Sequence, residues 1–416
     1  MRVAGWGAAL AAWSLAAGNP LTVLATDNAF NVRTSFKGTL LISRAPDAPL
    51  LFPERDSATT FWRARFEPEA RLGDRASLGA AYEQRFRVFS SASGAAGLGI
   101  LPPDTPAPYR IVQLDWSISQ TEGFSWRHEI DRAYLALHSS RLELTFGRQA
   151  VGWGRGVLFG AVDLFSPFTP LEVDREWRRG VDAIRADFKL TSRASLDVVG
   201  AFGETLDDSA FAARFRGYRG NMDLELVGGF RAQDVLAGIT SSAAVGDAEV
   251  HGELAFFRAP ESLPAGGLGS EDRGAIKAVA GGSYRFALGN GIPLFIEYHY
   301  SGFGAKSAEE ILPLLADPSF LERFLRGDTQ ILVRHGLAAL ATYEISTEHQ
   351  LNLDWLVSPT DGSGIVVPSL TWTVDDRLSL LASGYFPYGA PPEGLTLESA
   401  YGAAAISGLL QFRIYF

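Results

Sequence analysis

Residues 402–416 read GAAAISGLLQFRIYF. Counted back from Phe416, the even positions Ile414, Phe412, Leu410, Gly408, Ile406 and Ala404 are apolar or small. The odd positions include Tyr415, Arg413, Gln411 and Ser407. A period of two marks an extended strand whose faces meet different surroundings. The same period recurs upstream, most clearly over 62–72. There Trp62, Ala64, Phe66, Pro68, Ala70 and Leu72 share one face, and Arg63, Arg65, Glu67, Glu69 and Arg71 share the other. An arginine facing lipid near the membrane midplane costs ~2–4 kcal/mol. The charged face therefore belongs to an interior, and the apolar face points outward.

The chain as a whole fits this pattern. It has 416 residues, 47% hydrophobic and 20% charged, and a mean hydropathy of +0.05. A near-zero mean suits a barrel, whose lipid-facing and lumen-facing residues average out. Arg2 followed by the apolar run 3–17, with a small-residue site at Val23-Leu24-Ala25, reads as a signal peptide over 1–25. That run is too short for a membrane helix of ~20 residues, so membrane residence has to be as strands. A formal charge of −10 argues against a nucleic-acid partner. With no cysteine, disulfides and thiolate metal sites are excluded. Only four of the 37 basic residues are lysine: Lys37, Lys189, Lys277 and Lys306.

The terminal pattern of Phe412, Ile414 and Phe416 resembles the assembly signal of bacterial outer-membrane barrels. It implies the barrel-assembly machinery and outer-membrane lipids as partners. The expectation is an all-β, transmembrane, antiparallel up-and-down barrel over 26–416. Strict alternation of short and long connections gives about 18 strands, from 31–41 and 60–72 through 128–138 and 331–345 to 377–386 and 402–416. The segment 108–120 also looks extended. As a membrane strand it would make the count odd, so it is placed in the second outer loop.

Residues 147–182 read GRQAVGWGRGVLFGAVDLFSPFTPLEVDREWRRGVD. The stretch is too apolar for a solvated loop and holds five arginines: Arg148, Arg155, Arg175, Arg178 and Arg179. It is expected to fold inward as a constriction. Over 128–190 the sequence resembles a porin-like group of outer-membrane barrels that includes the alginate-export type. These share a GRQ-x-x-x-WG pattern followed by D-L-x-x-P. The resemblance implies an 18-stranded barrel and diffusion of a solute through an arginine-bearing lumen. The candidate pore-lining residues are Arg63, Arg65, Glu67, Glu69, Arg71, Glu83, Arg85, Arg148, Arg155, Asp163, Arg175, Arg178, Arg179 and Asp182. Two readings of the loop arginines stay open. They form a positive constriction that favours anions, or they pair with Asp163, Glu172, Asp174, Glu176 and Asp182 and pin the loop to the wall.

Residues 306–326 carry a helical period interrupted at Pro318, read as a cap packing on loops. His299 beside Glu297 is read as a lumenal hydrogen-bonding group. No zinc-like histidine spacing, nucleophile elbow or phosphate loop occurs, so neither a cofactor, a metal nor an enzymatic role is expected. The leading expectation is a channel for passive or substrate-biased diffusion of small hydrophilic solutes, with an anion preference as its sharper form. A sheath for a periplasmic partner, such as an electron-transfer cytochrome, is the alternative. An outer-membrane enzyme ranks below both. A homo-oligomer stays open.

Overall fold

The structure, a computed structural model, describes residues 29–90 and 99–416. The signal peptide expected at 1–25 lies outside the described residues. In chain order the strands are β1 (Phe30–Arg44), β2 (Asp56–Leu72), β3 (Ala76–Phe89), β4 (Asp115–Thr121), β5 (Phe124–His138), β6 (Leu142–Gln149), β7 (Val181–Thr191), β8 (Ala194–Ala201), β9 (Ala210–Arg219) and β10 (Met222–Arg231). They continue as β11 (Asp234–Val245), β12 (Ala248–Arg258), β13 (Gly274–Phe286), β14 (Ile292–Ser301), β15 (His335–Glu344), β16 (His349–Val357), β17 (Gly364–Thr373), β18 (Leu378–Tyr388) and β19 (Ile406–Tyr415). Every pairing between these strands is antiparallel, and β1 pairs with β19 to close the barrel.

Eighteen of these strands are the staves, and β4 is the extra one. β3 occupies one edge of β5 along nearly its whole length. On the other edge, β6 pairs with Ala133 to His138 and β4 pairs with Phe124 to Glu129. β6 is short, and β4 satisfies the backbone groups it leaves open. The extended segment near 108–120 is thus a strand of the second long connection, not a nineteenth stave. Several expected boundaries shift. β1 runs on to Arg44, β2 and β5 start earlier, at Asp56 and Phe124, and residues 331–334 and 402–405 belong to connections, so β15 starts at His335 and β19 at Ile406.

Phe66, Leu226, Phe230, Leu254, Leu353, Trp355 and Leu410 are exposed on the outer face, while Arg63 and Arg65 are buried on the inner one. An apolar outside around a charged inside is stable where hydrocarbon replaces water at the outer wall. Across the closing seam, Gly38 stands opposite both Trp62 and Phe412. The rings of Phe36, Trp62 and Phe412 meet there at 5.7–5.9 Å between centroids. A Cβ at Gly38 would lie 2.4 Å from Phe412 and 2.7 Å from Trp62. The missing side chain is what lets the aromatics close over the seam. On the inner face Gln411 Nε2 donates to Thr39 Oγ1 at 2.9 Å and the Ser407 hydroxyl to Ser43 at 2.8 Å.

Gly38→Leu should destabilise the barrel by ~1–3 kcal/mol through overpacking, lowering the temperature at which an unboiled gel sample loses its folded band. Gly408→Ala, on the same seam with nothing within 4 Å of its Cβ position, should leave that temperature unchanged. Equal effects of the two substitutions would refute this account of the seam.

Candidate constriction site

The connection from β6 to β7, residues 150–180, leaves the wall and crosses the lumen. Its departure is fixed by Gly147-Arg148-Gln149. Gly147 has φ +106°, and a Cβ there would lie 2.3 Å from the Ala133 carbonyl oxygen, so only glycine fits. Arg148 grips Asp182 at the far end of the connection with Nε and Nη2, at 2.7 and 3.0 Å. It also donates to the carbonyls of Ile130 (3.0 Å) and Val112. Gln149 Nε2 donates to the Ala183 carbonyl at 3.1 Å. These three residues join the two ends of the connection.

Beyond the mouth, the chain runs along the wall formed by β8 to β14. Two buried wall carboxylates receive its backbone. Glu253, on β12, accepts from the N–H groups of Arg155, Gly156 (2.9 Å), Ala161 (2.6 Å) and Val162 (3.3 Å). Glu297, on β14, accepts from Val157 (2.6 Å), Leu158 (2.9 Å) and Phe159 (3.2 Å). His251 Nε2 lies 3.0 Å from the same carboxylate. Seven amides of one turn-rich segment thus converge on two anions. Gly156 makes the turn possible, since a Cβ there would lie 1.8 Å from the Phe159 carbonyl. Hydrogen bonds to charged groups contribute ~1.5–3 kcal/mol each, so this contact dominates the docking of the loop. Val151, Phe159, Ala161, Val162, Leu164 and Phe165 are almost fully buried against the wall.

The return branch, 172–180, docks on the opposite wall. Asp174 binds Lys37 at 2.8 Å and Arg63 at 3.4 Å. Burial alone would raise Asp174, yet Arg63 and Lys37 hold its carboxyl below the usual range. Lys37 also binds Glu176 at 2.6 Å. Trp177 lies under three cations: Lys37 Nζ at 3.6 Å, Arg63 at 4.9 Å and Arg65 at 5.1 Å from its ring. Behind them is a buried ladder. Glu83 accepts from Arg63 (2.7 Å), Arg85 (2.9 Å) and Arg65. Arg85 also binds Glu129 at 2.9 Å, and Arg110 joins Glu129 at 2.6 Å. Asp131 accepts from Arg65 at 2.8 Å and from the Gly180 N–H at 2.8 Å.

Asp131, Glu129, Arg110, Lys37, Trp177 and Glu253 were not among the residues singled out from the sequence. A bulge explains Asp131. The β3–β5 register slips between Ala81 and Tyr82, pairing Arg132 with Ala81 and Ile130 with Tyr82. A bulge puts consecutive residues on one side, so Asp131 and Arg132 both turn inward: alternation counted forward from Ser125 reaches Asp131, and alternation counted back from Ala136 misses it. Glu67 pairs with Arg65 at 2.7 Å. Glu69 and Arg71 sit near the short-turn end of β2, where neither forms an ion pair within 4.0 Å among the described residues.

The five loop arginines divide into two sets. Arg148 binds Asp182, Arg178 binds Asp163 at 2.7 Å, and Arg155 binds Asp223 at 2.6 Å and Glu225 at 3.0 Å. Arg175 and Arg179 have no acid within 4.0 Å among the described residues. Arg175 donates to the carbonyls of Val157, Thr169 and Pro170, and Arg179 to that of Thr105. Glu172, Asp354 and Glu297 lie beyond 4.0 Å yet near enough for Arg175 to feel their charge through space. His299 does not act as the hydrogen-bonding group expected. It is fully buried, Phe159 stacks on it at 4.8 Å, and neither ring nitrogen has a partner among the described residues.

The loop separates a cavity of about 870 Å³ from one of about 440 Å³, and both are bounded by Phe168 and Gln330. Gln330 holds the loop from above: its Oε1 accepts from Gly160 N–H at 2.7 Å and its Nε2 donates to Phe168 O at 3.0 Å. Gln330 follows a helical hairpin, α1 (Ile311–Leu315) and α2 (Pro318–Arg326). Pro318 begins the second helix, with Asp317 as its cap. Arg323 ties α2 to Asp234 at 2.6 Å, and Asp328 binds Arg231 at 2.7 Å.

No protein-family model matches this sequence, and no curated protein matches it. Solved structures match it in fold. OccAB3 of Acinetobacter baumannii is 9% identical with a TM-score of 0.55, covering 93% of this chain and 99% of that one. OccK7 (OpdD) of Pseudomonas aeruginosa is 8% identical with a TM-score of 0.53, covering 94% and 99%. At such identities the similarity concerns the barrel fold alone.

Glu253→Ala leaves four amides without their acceptor, and each buried unsatisfied donor costs ~1–3 kcal/mol. Amide exchange over 155–162 in the refolded protein should accelerate by about tenfold or more, with Glu253→Gln intermediate. Unchanged exchange in that segment would mean the carboxylate does not hold the loop.

Proposed function

We propose that this chain is a channel of the bacterial outer membrane, exported by its signal peptide, with residues 147–182 setting the constriction. The observation that carries the reading is a loop pinned on two opposite walls of an 18-stranded lumen, with Arg175 left free of acid partners beside it. An 18-stranded barrel is wide enough for an aqueous passage, and a loop anchored by buried charges narrows it without closing and opening at random. The solved barrels of similar fold are outer-membrane porins and channels, which supports the same reading. The apolar outer face takes outer-membrane lipids as its partner, and Phe412, Ile414 and Phe416 serve the barrel-assembly machinery.

The solute is a small hydrophilic one with an anion preference. Most lumenal arginines are neutralised by carboxylates a few ångströms away, so their field fades quickly in water. The bias rests on Arg175 and Arg179. Acidic sugars, which the alginate-export-type resemblance suggests, and small organic anions both satisfy that charge. A sheath around a cytochrome gains nothing from the geometry, because a lumen crossed by a pinned loop has no bore for a folded partner.

Reversal potentials of the refolded mature protein in a salt gradient test this. A unit charge ~4 Å from a passing ion in water is worth ~1 kcal/mol. The charge attracts the anion and repels the cation, so Arg175→Gln should reduce the anion-to-cation ratio on the order of tenfold or more. Arg155→Gln, whose charge Asp223 and Glu225 already offset, should change it little. A folded barrel without conductance, or an unaltered ratio in Arg175→Gln, would count against the proposal.

A further inference from the structure

The larger cavity has a composition that a path for fully hydrophilic solutes does not require. Its walls come from 99–105, 166–172, the helical hairpin and the long-loop ends of β1 to β3. Leu101, Phe168, Leu321, Phe324, Leu325 and Leu332 supply much of the surface. A space of about 870 Å³ lies within the usual range for small-molecule sites, roughly 300–1,000 Å³.

Five charged side chains reach this apolar lining, and one of them, Arg326, is paired with Asp328 at 2.6 Å. Arg87 is neutralised by Asp104 at 3.2 Å and donates to the Pro102 carbonyl at 2.8 Å. Arg179 has no acid within 4.0 Å, and its Nε is buried without a partner among the described residues. Burial pushes the Arg179 guanidinium down to about 10, which leaves it charged at neutral pH. Glu172 makes no ion pair within 4.0 Å among the described residues, and burial pushes its carboxyl up against the pull of Arg179 and Arg175. Among the described residues, the cation on this lining that no carboxylate pairs within 4.0 Å is the Arg179 guanidinium. A buried donor left unpaired is costly, and an arginine fork suits a carboxylate.

We infer that this outer cavity binds a small organic monoanion with an apolar body, its carboxylate on Arg179 and its carbon skeleton against Phe168, Leu321 and Phe324. The inference rests on the channel reading for what the site serves, and on the cavity itself for what it holds. Phe168 and Gln330, which bound both cavities, place the site directly before the constriction.

Calorimetric titration of the refolded full barrel tests it with three probes: 3-phenylpropionate, propionate and 3-phenylpropionamide. The acid with the ring should bind about tenfold or more tightly than either probe lacking the ring or the charge. Arg179→Gln should lose that advantage, Arg179→Lys should keep part of it, and neither should alter binding of the amide. Equal binding of acid and amide, an unchanged affinity in Arg179→Gln, or no binding to a folded barrel would each overturn the site. A barrel that conducts yet fails these titrations loses the site and keeps the channel. One that binds through Arg179 yet conducts nothing keeps the site and loses the channel.

Discussion

The arrangement of the lumen depends on two carboxylates that receive backbone. Glu253 and Glu297 are nearly inaccessible to solvent, and a buried carboxylate without partners is strongly unfavourable. Here the partners are seven amide N–H groups of residues 155–162. The dependence runs both ways. The turn-rich segment has no strand or helix to satisfy its own donors; among the described residues Glu253 has no ion-pair partner within 4.0 Å, and Glu297 has His251 alone. Neither half is stable alone in this position, so loop and wall order each other.

The opposite wall solves a similar problem with side chains. Lys37, Arg63, Arg65, Arg85 and Arg110 alternate with Glu83, Glu129, Asp131 and Asp174 in one connected network. Buried ion pairs add little net stability but break at high cost when one partner is lost. Their value here is positional: they hold Trp177 and the return branch at one height. The charge balance of the ladder also explains why an arginine-rich lumen has few free positive charges. Arg175 and Arg179, which donate to carbonyls alone, are the exceptions on the loop.

The barrel was legible because its signal is repeated on every stave. The parity of 62–72 and of 406–416 follows from the cost of putting charge in lipid. The inward course of the loop was legible from its apolar content, and the interleaved acids pointed to pairing for Arg148 and Arg178. Other features leave little trace in sequence. A backbone amide has no residue type, so nothing in 155–162 announces that it will cap Glu253. One bulged residue reverses parity within β5, so a single alternation does not describe both halves of that strand. β4 could be placed as extended but not paired, because its partner edge exists only where β6 stops short. The partnerless His299 depends on Phe159 arriving from 140 residues away in the chain.

The central claim, that the loop stays on the wall while solute passes, can be tested in a chain without native cysteine. A Cβ at Gly238 on β11 would lie 2.9 Å from Val162 Cγ1, within reach of a disulfide between cysteines at the two positions. Oxidation of Gly238→Cys/Val162→Cys in the assembled barrel should give complete crosslinking with single-channel conductance unchanged. Absence of the crosslink in a folded barrel, or a conductance that disappears when it forms and returns on reduction, would show that the loop leaves the wall and would contradict the account.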